Sequence, residues 1–247
     1  MAEHFCQTPL YAELLERAYG MKTLWMDGVP YHPRRWTDRW AGRFALRGWE
    51  SHGAPRCAVS PLRVRLPRYR GDLLSVRRHT ISKTWLIDLQ SWEPPPAIDK
   101  ALRRARRQAI RVRQVEDIND WRANYWPLVG ERGRLWDNAN LLREVQWQFS
   151  LGQHAYFIAL FEPTGIPIGG LGFFWWDGVA TEILSRIRPG PAAPHFQTQE
   201  PLHVACFGYA KKLGCQTFDL CPGGTEGIEA FKSKFGGRNE DIITAYV

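Results

Sequence analysis

The sequence predicts an α+β fold: a mixed β-sheet flanked by helices on both faces, preceded by a truncated basic N-terminal subdomain. Three observations predict it. From Arg111 onward the elements run β-α-α-β-β-β-α-β-α-β. Three consecutive strands are joined by turn chemistry, EPTG at 162–165 and Asp177-Gly178. A helix then crosses over to a parallel strand, which makes the sheet mixed.

The elements follow in order. Residues 8–20 read as a short helix, with Leu10, Leu14, Leu15 and Ala18 on one face and Gly20 as the stop. Residues 24–56 are rich in Gly, Pro, Trp and Arg and show no clean period. Residues 60–66 alternate, Leu62, Val64 and Leu66 against Arg63 and Arg65, which is strand patterning. KTWLIDL, 83–89, is a second strand, and Pro94-Pro95-Pro96 stiffens the connection after it. Residues 97–110 are a helix with a narrow stripe of Ile98, Ala101, Leu102, Ala105 and Ala109. Arg103, Arg104, Arg106 and Arg107 project from its other side.

IRVRQV, from 110, is a strand, and 118–132 and 138–150 are helices, the second with Asp137 as N-cap and Leu141, Leu142, Val145 and Phe149 inward. Strands follow at 154–161, 166–176 and 179–188, then a loop at 189–196. The helix 197–214 turns Leu202, Ala205, Cys206, Tyr209, Ala210 and Leu213 inward. CQTFDL, 215–220, is a strand, 225–237 a helix closed by paired glycines, and 241–247 the last strand.

Composition excludes several classes. The chain has 247 residues, 44% apolar and 23% charged, which is globular rather than disordered. No stretch approaches the roughly 20 apolar residues of a membrane helix. The start MAEHFCQTPL lacks a basic region followed by an apolar run, so no secretory signal is expected. Five widely spaced cysteines argue against a disulfide framework and for a reducing cytoplasm, and without a CxxC pair no metal site is expected.

Charge is unevenly placed. Residues 34–113 hold 20 Lys+Arg against 6 Asp+Glu, within a chain of net charge +8. Arginine forks match phosphate oxygens in pairs, and Trp36, Trp40, Trp49, Tyr69 and Trp85 in the same segment can stack on unpaired bases. The segment is either a polyanion-binding surface or an Arg-rich solubilising face.

The element order is that of the GNAT N-acyltransferase fold, so the expected sheet is GNAT-like. Within that superfamily the chain resembles the FemABX-like peptidyltransferases. The resemblance rests on TWLIDL (84–89) with the basic helix ALRRARRQAIRVRQV (101–115), on AYFIALFEPTGIPIGGLGFFW (155–175), on LHVACFGYAKKLGCQTFDL (202–220) and on GIEAFKSKFGG (227–237). It covers residues 84–247, about two thirds of the chain, and the last segment is the most specific. It implies an enzyme that takes an aminoacyl group from aminoacyl-tRNA and forms an amide on an acceptor amine. Peptidoglycan precursors are the family's usual acceptors, and some relatives act in antibiotic biosynthesis. Fem proteins carry two complete GNAT-like domains. Here residues 1–96 form only a partial first unit, and 97–247 form the catalytic domain with its leading Arg-rich helix.

The donor can be tested on the residues. GNAT enzymes hold the CoA pyrophosphate with backbone N–H groups in a Gly-rich turn before a helix. The equivalent stretch, 186–200, has one glycine and the prolines Pro189, Pro191 and Pro194, which lack N–H groups. That favours aminoacyl-tRNA as co-substrate, with no further cofactor, and tRNA contact at Arg103, Arg104, Arg106, Arg107 and Arg111. An acyl-CoA-dependent N-acyltransferase and a non-catalytic RNA-binding module are the alternatives.

Aminolysis of an aminoacyl ester needs a deprotonated amine, support for the oxyanion and help for the leaving hydroxyl. No nucleophile elbow is visible, so direct attack is the simpler route. The resemblance implies that Phe231 and Lys232 contact the acceptor end of the tRNA and the reacting ester. The other reading makes Lys232 and Lys234 a solvated helix face. Glu182 is the candidate base, although strand alternation leaves it equally able to face outward. Asp219 either orients the amine or pairs with an arginine. Trp175, in the run Phe173–Trp176, lines an acceptor pocket or simply packs a hairpin covered on both faces. Cys206 falls on a helix face turned to the core, where a thiol acts as a small hydrophobe. His195 and His203 read as loop or interface residues. The expected acceptor amine is a small molecule or natural-product intermediate, or a peptidoglycan precursor, and the oligomeric state is open.

Overall fold

The computed structural model describes residues 9–19, 24–26, 29–33, 49–51, 62–66, 78–130, 138–188, 198–221 and 225–246. The expected N-cap Asp137 and the expected loop 189–196 lie outside these residues.

The elements in chain order are α1 (Pro9–Tyr19), β1 (Leu24–Met26), β2 (Val29–Pro33), β3 (Trp49–Ser51), β4 (Leu62–Leu66), β5 (Arg78–Asp88), α2 (Pro96–Arg107) and β6 (Ile110–Gln114). Then come α3 (Ile118–Asp120), a π-helical turn (Trp121–Tyr125), α4 (Trp126–Gly130), α5 (Asn138–Leu151), β7 (His154–Phe161), β8 (Ile166–Trp176) and β9 (Val179–Ile187). The chain closes with α6 (Gln199–Lys212), β10 (Thr217–Asp219), α7 (Glu226–Ser233) and β11 (Arg238–Tyr246). Among the described residues no helix is long and apolar enough to cross a membrane.

Among the described residues the strands form one sheet in the order β1-β2-β3-β4-β11-β5-β10-β9-β8-β7-β6. β3 runs parallel to β4 and β10 parallel to β9, and the other neighbours are antiparallel. The fold is therefore the mixed, GNAT-like sheet with helices on both faces. β5 stands between β11 and β10, so a strand from the first 96 residues is central to it.

Strand alternation explains the two faces. Along β7, Ala155, Phe157 and Ala159 turn to a core shared with Leu202, Cys206 and Phe207 of α6 and with Ile98 and Ala105 of α2. Tyr156 and Ile158 turn to a second core with Trp121, Tyr125 and Val145. Covered on both sides, β7 and β8 read as near-continuous apolar runs.

The glycines of β8 make room for rings. A Cβ on Gly170 would stand 2.5 Å from the Tyr125 ring, and one on Gly172 would stand 2.4 Å from that of Tyr156. The paired glycines after α7 have a different reason. Gly237 has φ +87, and a Cβ there would meet the Leu86 carbonyl oxygen at 2.6 Å. That close approach lets β11 join β5 from Arg238 onward, three residues earlier than the sequence predicts.

Other boundaries differ for physical reasons. The helix expected over 118–132 runs without a break over 118–130, but not as a regular α-helix. Asp117 caps its start by accepting from the Asn119 and Asp120 N–H groups, and a π-turn then widens it. The wide turn sits just before Pro127, which has no N–H to give to a regular helix. The arginine helix stops at Arg107, because Ala109 takes φ 53 to turn into β6. The inward face of α6 is Leu202, His203, Cys206, Phe207 and Ala210, while Leu213 is exposed.

Candidate active site at the fork between β9 and β10

β9 and β10 pair only over Val179–Thr181 and Thr217–Asp219. β9 then continues, while the other chain turns away at Cys221, which has φ 58. The strands fork at Glu182. A bulge in β9 sits at the same point: Phe173 pairs with Glu182 and Gly172 with Leu184, leaving Ile183 extra. Bulges re-aim side chains, and here Glu182 faces α6 and α7, whereas Ile183 packs into the second core.

Three charged or titratable groups meet there. Glu182 Oε2 lies 3.5 Å from His203 Nε2 and 3.6 Å from Lys232 Nζ. All three side chains are largely out of water, 11% exposed for Glu182, 1% for His203 and 7% for Lys232. Burial pushes the Glu182 carboxyl up, and His203 and then Lys232 pull it back below the ordinary carboxylate value. It is a carboxylate at neutral pH.

Lys232 sits in the last turn of α7, a helix whose first turn is capped by Thr225. Its ammonium donates to the carbonyls of Leu220 and Cys221 at the end of β10, the latter at 2.9 Å. Lysine has three donors, so one N–H remains beyond these two. Phe231, one residue before, packs its ring 5.4 Å from that of His203 and 5.3 Å from that of Phe235, and Lys234 lies over it at 5.5 Å. Cys221 donates its thiol to the Glu182 carbonyl at 3.1 Å.

The structure thus brings Glu182, Phe231 and Lys232 together. Asp219 accepts from Thr84 and, at 2.8 Å, from the Cys221 N–H. Alternation from Phe218 places it on the opposite face of β10. Trp175 pairs across β9 with Ala180, half-buried against Phe173 at 6.0 Å. Arg103, Arg104, Arg106 and Arg107 are exposed on α2, and Arg111 is exposed on β6, an edge strand. Among the described residues none of these five has a carboxylate partner. Arg113 differs, since it grips Asp120 with two bonds of 2.6 and 2.7 Å.

His203, which the sequence reads as a loop or interface residue, is instead buried in α6, and the sequence does not single out Thr84 at all. The signal for His203 was present: positions 203, 206, 207 and 210 share one helical face, and a histidine among Cys206, Phe207 and Ala210 is a polar group turned to the core. Thr84 gave no such signal, because its partner lies 135 residues away. Burial raises the Cys206 and Cys215 thiols, which leaves them inert. Among the described residues no three His, Cys, Asp or Glu side chains group as metal ligands.

No family model and no curated protein sequence matches the chain. Solved structures do. The C-terminal domain of a candidate lysylphosphatidylglycerol synthetase from Agrobacterium fabrum superposes with a TM-score of 0.62 at 15% identity, covering 94% of this chain and 86% of that one. FemX gives 0.60 at 11%, covering 98% and 92%. A GCN5-related N-acetyltransferase from Kribbella flavida gives 0.52 at 11%, covering 99% and 96%. At these identities what the chain shares with them is the GNAT-like fold.

Proposed function

We propose that the protein is an aminoacyl-tRNA-dependent aminoacyltransferase that forms an amide between a tRNA-borne amino acid and a small acceptor amine. The observation that carries this reading is the fork: a buried carboxylate, imidazole and ammonium converge where β9 and β10 part. The fold that this chain shares with FemX and with a lysylphosphatidylglycerol synthetase domain agrees with it.

In this reading the acceptor amine is held by Glu182, and its attack on the ester carbonyl is direct. The remaining Lys232 N–H stabilises the oxyanion and the departing 3′-oxygen. Phe231 supports the end of the tRNA. Trp175 serves the acceptor, whereas Asp219, on the other face of β10, holds Thr84 and the Cys221 N–H instead. Residues 1–96 act as the basic subdomain and 97–247 as the catalytic unit, in the cytoplasm where charged tRNA is found. The exposed arginines of α2, together with Arg111, supply the phosphate contacts.

The acyl-CoA alternative is disfavoured by one further residue. Glu200 is buried in the first turn of α6, where an incoming pyrophosphate would meet an acidic side chain. The proline-rich bend that precedes it lies outside the described residues.

A radiolabelled pool of charged tRNAs tests the proposal. Enzyme-dependent transfer of label to an amine, abolished by ribonuclease, is the expected result. Ribonuclease-insensitive transfer from acyl-CoA supports the alternative, and tight tRNA binding without turnover supports an RNA-binding module. Lys232→Ala is expected to lower turnover about a hundredfold while tRNA affinity stays within a few-fold, as for loss of one oxyanion donor.

A further inference from the structure

His203 has no part in the scheme above, yet it is the most buried member of the fork. Its ring packs among Phe207, Phe231 and Phe235, at centroid distances of 6.2, 5.4 and 4.9 Å. Nδ1 lies 2.7 Å from the Gln199 carbonyl oxygen. A carbonyl only accepts, so Nδ1 carries the hydrogen and Nε2 is the basic nitrogen of the neutral ring. The Gln199 side chain is itself fixed, accepting from Ser185 at 2.9 Å and donating to the Arg186 carbonyl at 3.3 Å.

Nε2 faces Glu182 Oε2 at 3.5 Å, and neither atom has a hydrogen-bond partner among the described residues. Two buried acceptors facing each other are costly, and one proton between them turns the contact into a charge-assisted N–H···O bond. Among the described residues the other groups facing the ring are few. Lys232 approaches the same carboxylate from α7, Cys206 stands on the same helix near Glu182, and Cys221 bonds the Glu182 main chain from the end of β10. The rings packed against it are phenylalanines, and the buried Tyr125 lies near enough to Glu182 to feel its charge.

We propose that His203 is the proton reserve of the transferase: the proton released by the attacking amine passes through Glu182 and rests on His203 Nε2. This rests on the aminoacyl-transfer reading. Glu182 alone serves poorly, because the Lys232 ammonium 3.6 Å away keeps it a weak base, whereas Nε2 of the neutral ring offers a lone pair aimed at the carboxylate.

The step balances. The amine nitrogen forms a bond to the ester carbonyl carbon and gives one proton to Glu182, which passes it to Nε2. The bond from that carbon to the tRNA 3′-oxygen then breaks, and this oxygen takes the proton back from the Glu182–His203 pair. The side chains end as they began. Because His203 acts through Glu182, it is a positioning residue and not one that touches substrate.

Two measurements test it. Nitrogen-15 NMR of the histidine-labelled full chain is expected to show His203 with its hydrogen on Nδ1. Protonation of Nε2 is expected to move to lower pH in Glu182→Gln, since the carboxylate no longer holds the imidazolium. A hydrogen on Nε2 in the neutral ring, or a protonation curve indifferent to Glu182→Gln, overturns the shared proton whatever the donor is. Turnover of charged tRNA is the second measurement. His203→Gln is expected to lower kcat about a hundredfold, to keep KM for the tRNA within about twofold and to abolish the acid limb of the pH profile. An acid limb that survives overturns the proposal. If the wild-type protein discharges no tRNA to any amine, the reading of function falls and the catalytic use of His203 falls with it, while the NMR result still decides the shared proton. That arm keeps His203 in place, so it does not depend on the folding of a ring-deleted variant.

Discussion

Lys232 and His154 illustrate how burial gives one side chain its task. Lys232 holds the end of β10 through two carbonyls, which fixes the ammonium beside Glu182 and leaves little freedom to swing out. His154, at the start of β7, is 8% exposed and lies 4.4 Å from Phe149 and 5.6 Å from Tyr156. Burial there lowers its pKa to about 4. A depressed histidine contributes stability that is complete above the unfolded value of about 6.5 and is lost as pH falls toward the folded value. The full shift corresponds to about 3 kcal/mol. Urea midpoints at pH 7 and pH 4.5 check this: the acid-induced loss is expected to shrink in His154→Gln, and an equal loss in both proteins would show that other groups carry it.

At the scale of the element, β8 and α2 make opposite demands on small and charged residues. Gly172 is small because Tyr156 occupies the space above it. Gly172→Ala is expected to destabilise by about 1–3 kcal/mol through overpacking. Gly208, exposed within α6 with nothing near its missing Cβ, is the contrast. Gly208→Ala is expected to stabilise by about 0.5–1 kcal/mol through helix propensity alone. Thermal or urea melts of the two variants should move in opposite directions. In α2 the buried stripe is Ile98, Ala101 and Ala105, and the arginines lie on the exposed side. Replacing Arg103, Arg104, Arg106 and Arg107 by Ala is expected to weaken tRNA binding. It is also expected to flatten the slope of log K against log salt by about 3, since each phosphate left without its arginine removes nearly one unit. A slope unchanged in a filter-binding titration would mean that this face meets no nucleic acid.

The whole molecule joins parts that are far apart in the chain. Its sheet inserts β5 between β11 and β10, and its fork gathers Glu182, His203 and Lys232 from a strand and two helices. Much of this was legible beforehand, because secondary structure is written in local periods. The alternation of HAYFIALF, the Asp177-Gly178 turn and the FGG stop each announced its element within a few residues. The mixed sheet followed from element order, and the excess of arginine over residues 34–113 was plain from counting. The sequence by itself thus determined most elements from Leu62 onward and where the positive charge gathers, while β1, β2 and β3 fall in the stretch 24–56 that shows no clean period, and the inward face of α6 was read without His203. Only the tertiary structure decided which way Glu182 points, that His203 stands beside it, that Thr84 holds Asp219 and that Lys232 reaches the end of β10. Those contacts depend on strand register, on one bulged residue and on the packing of α6 and α7, and each is a long-range match of shapes that no local period records.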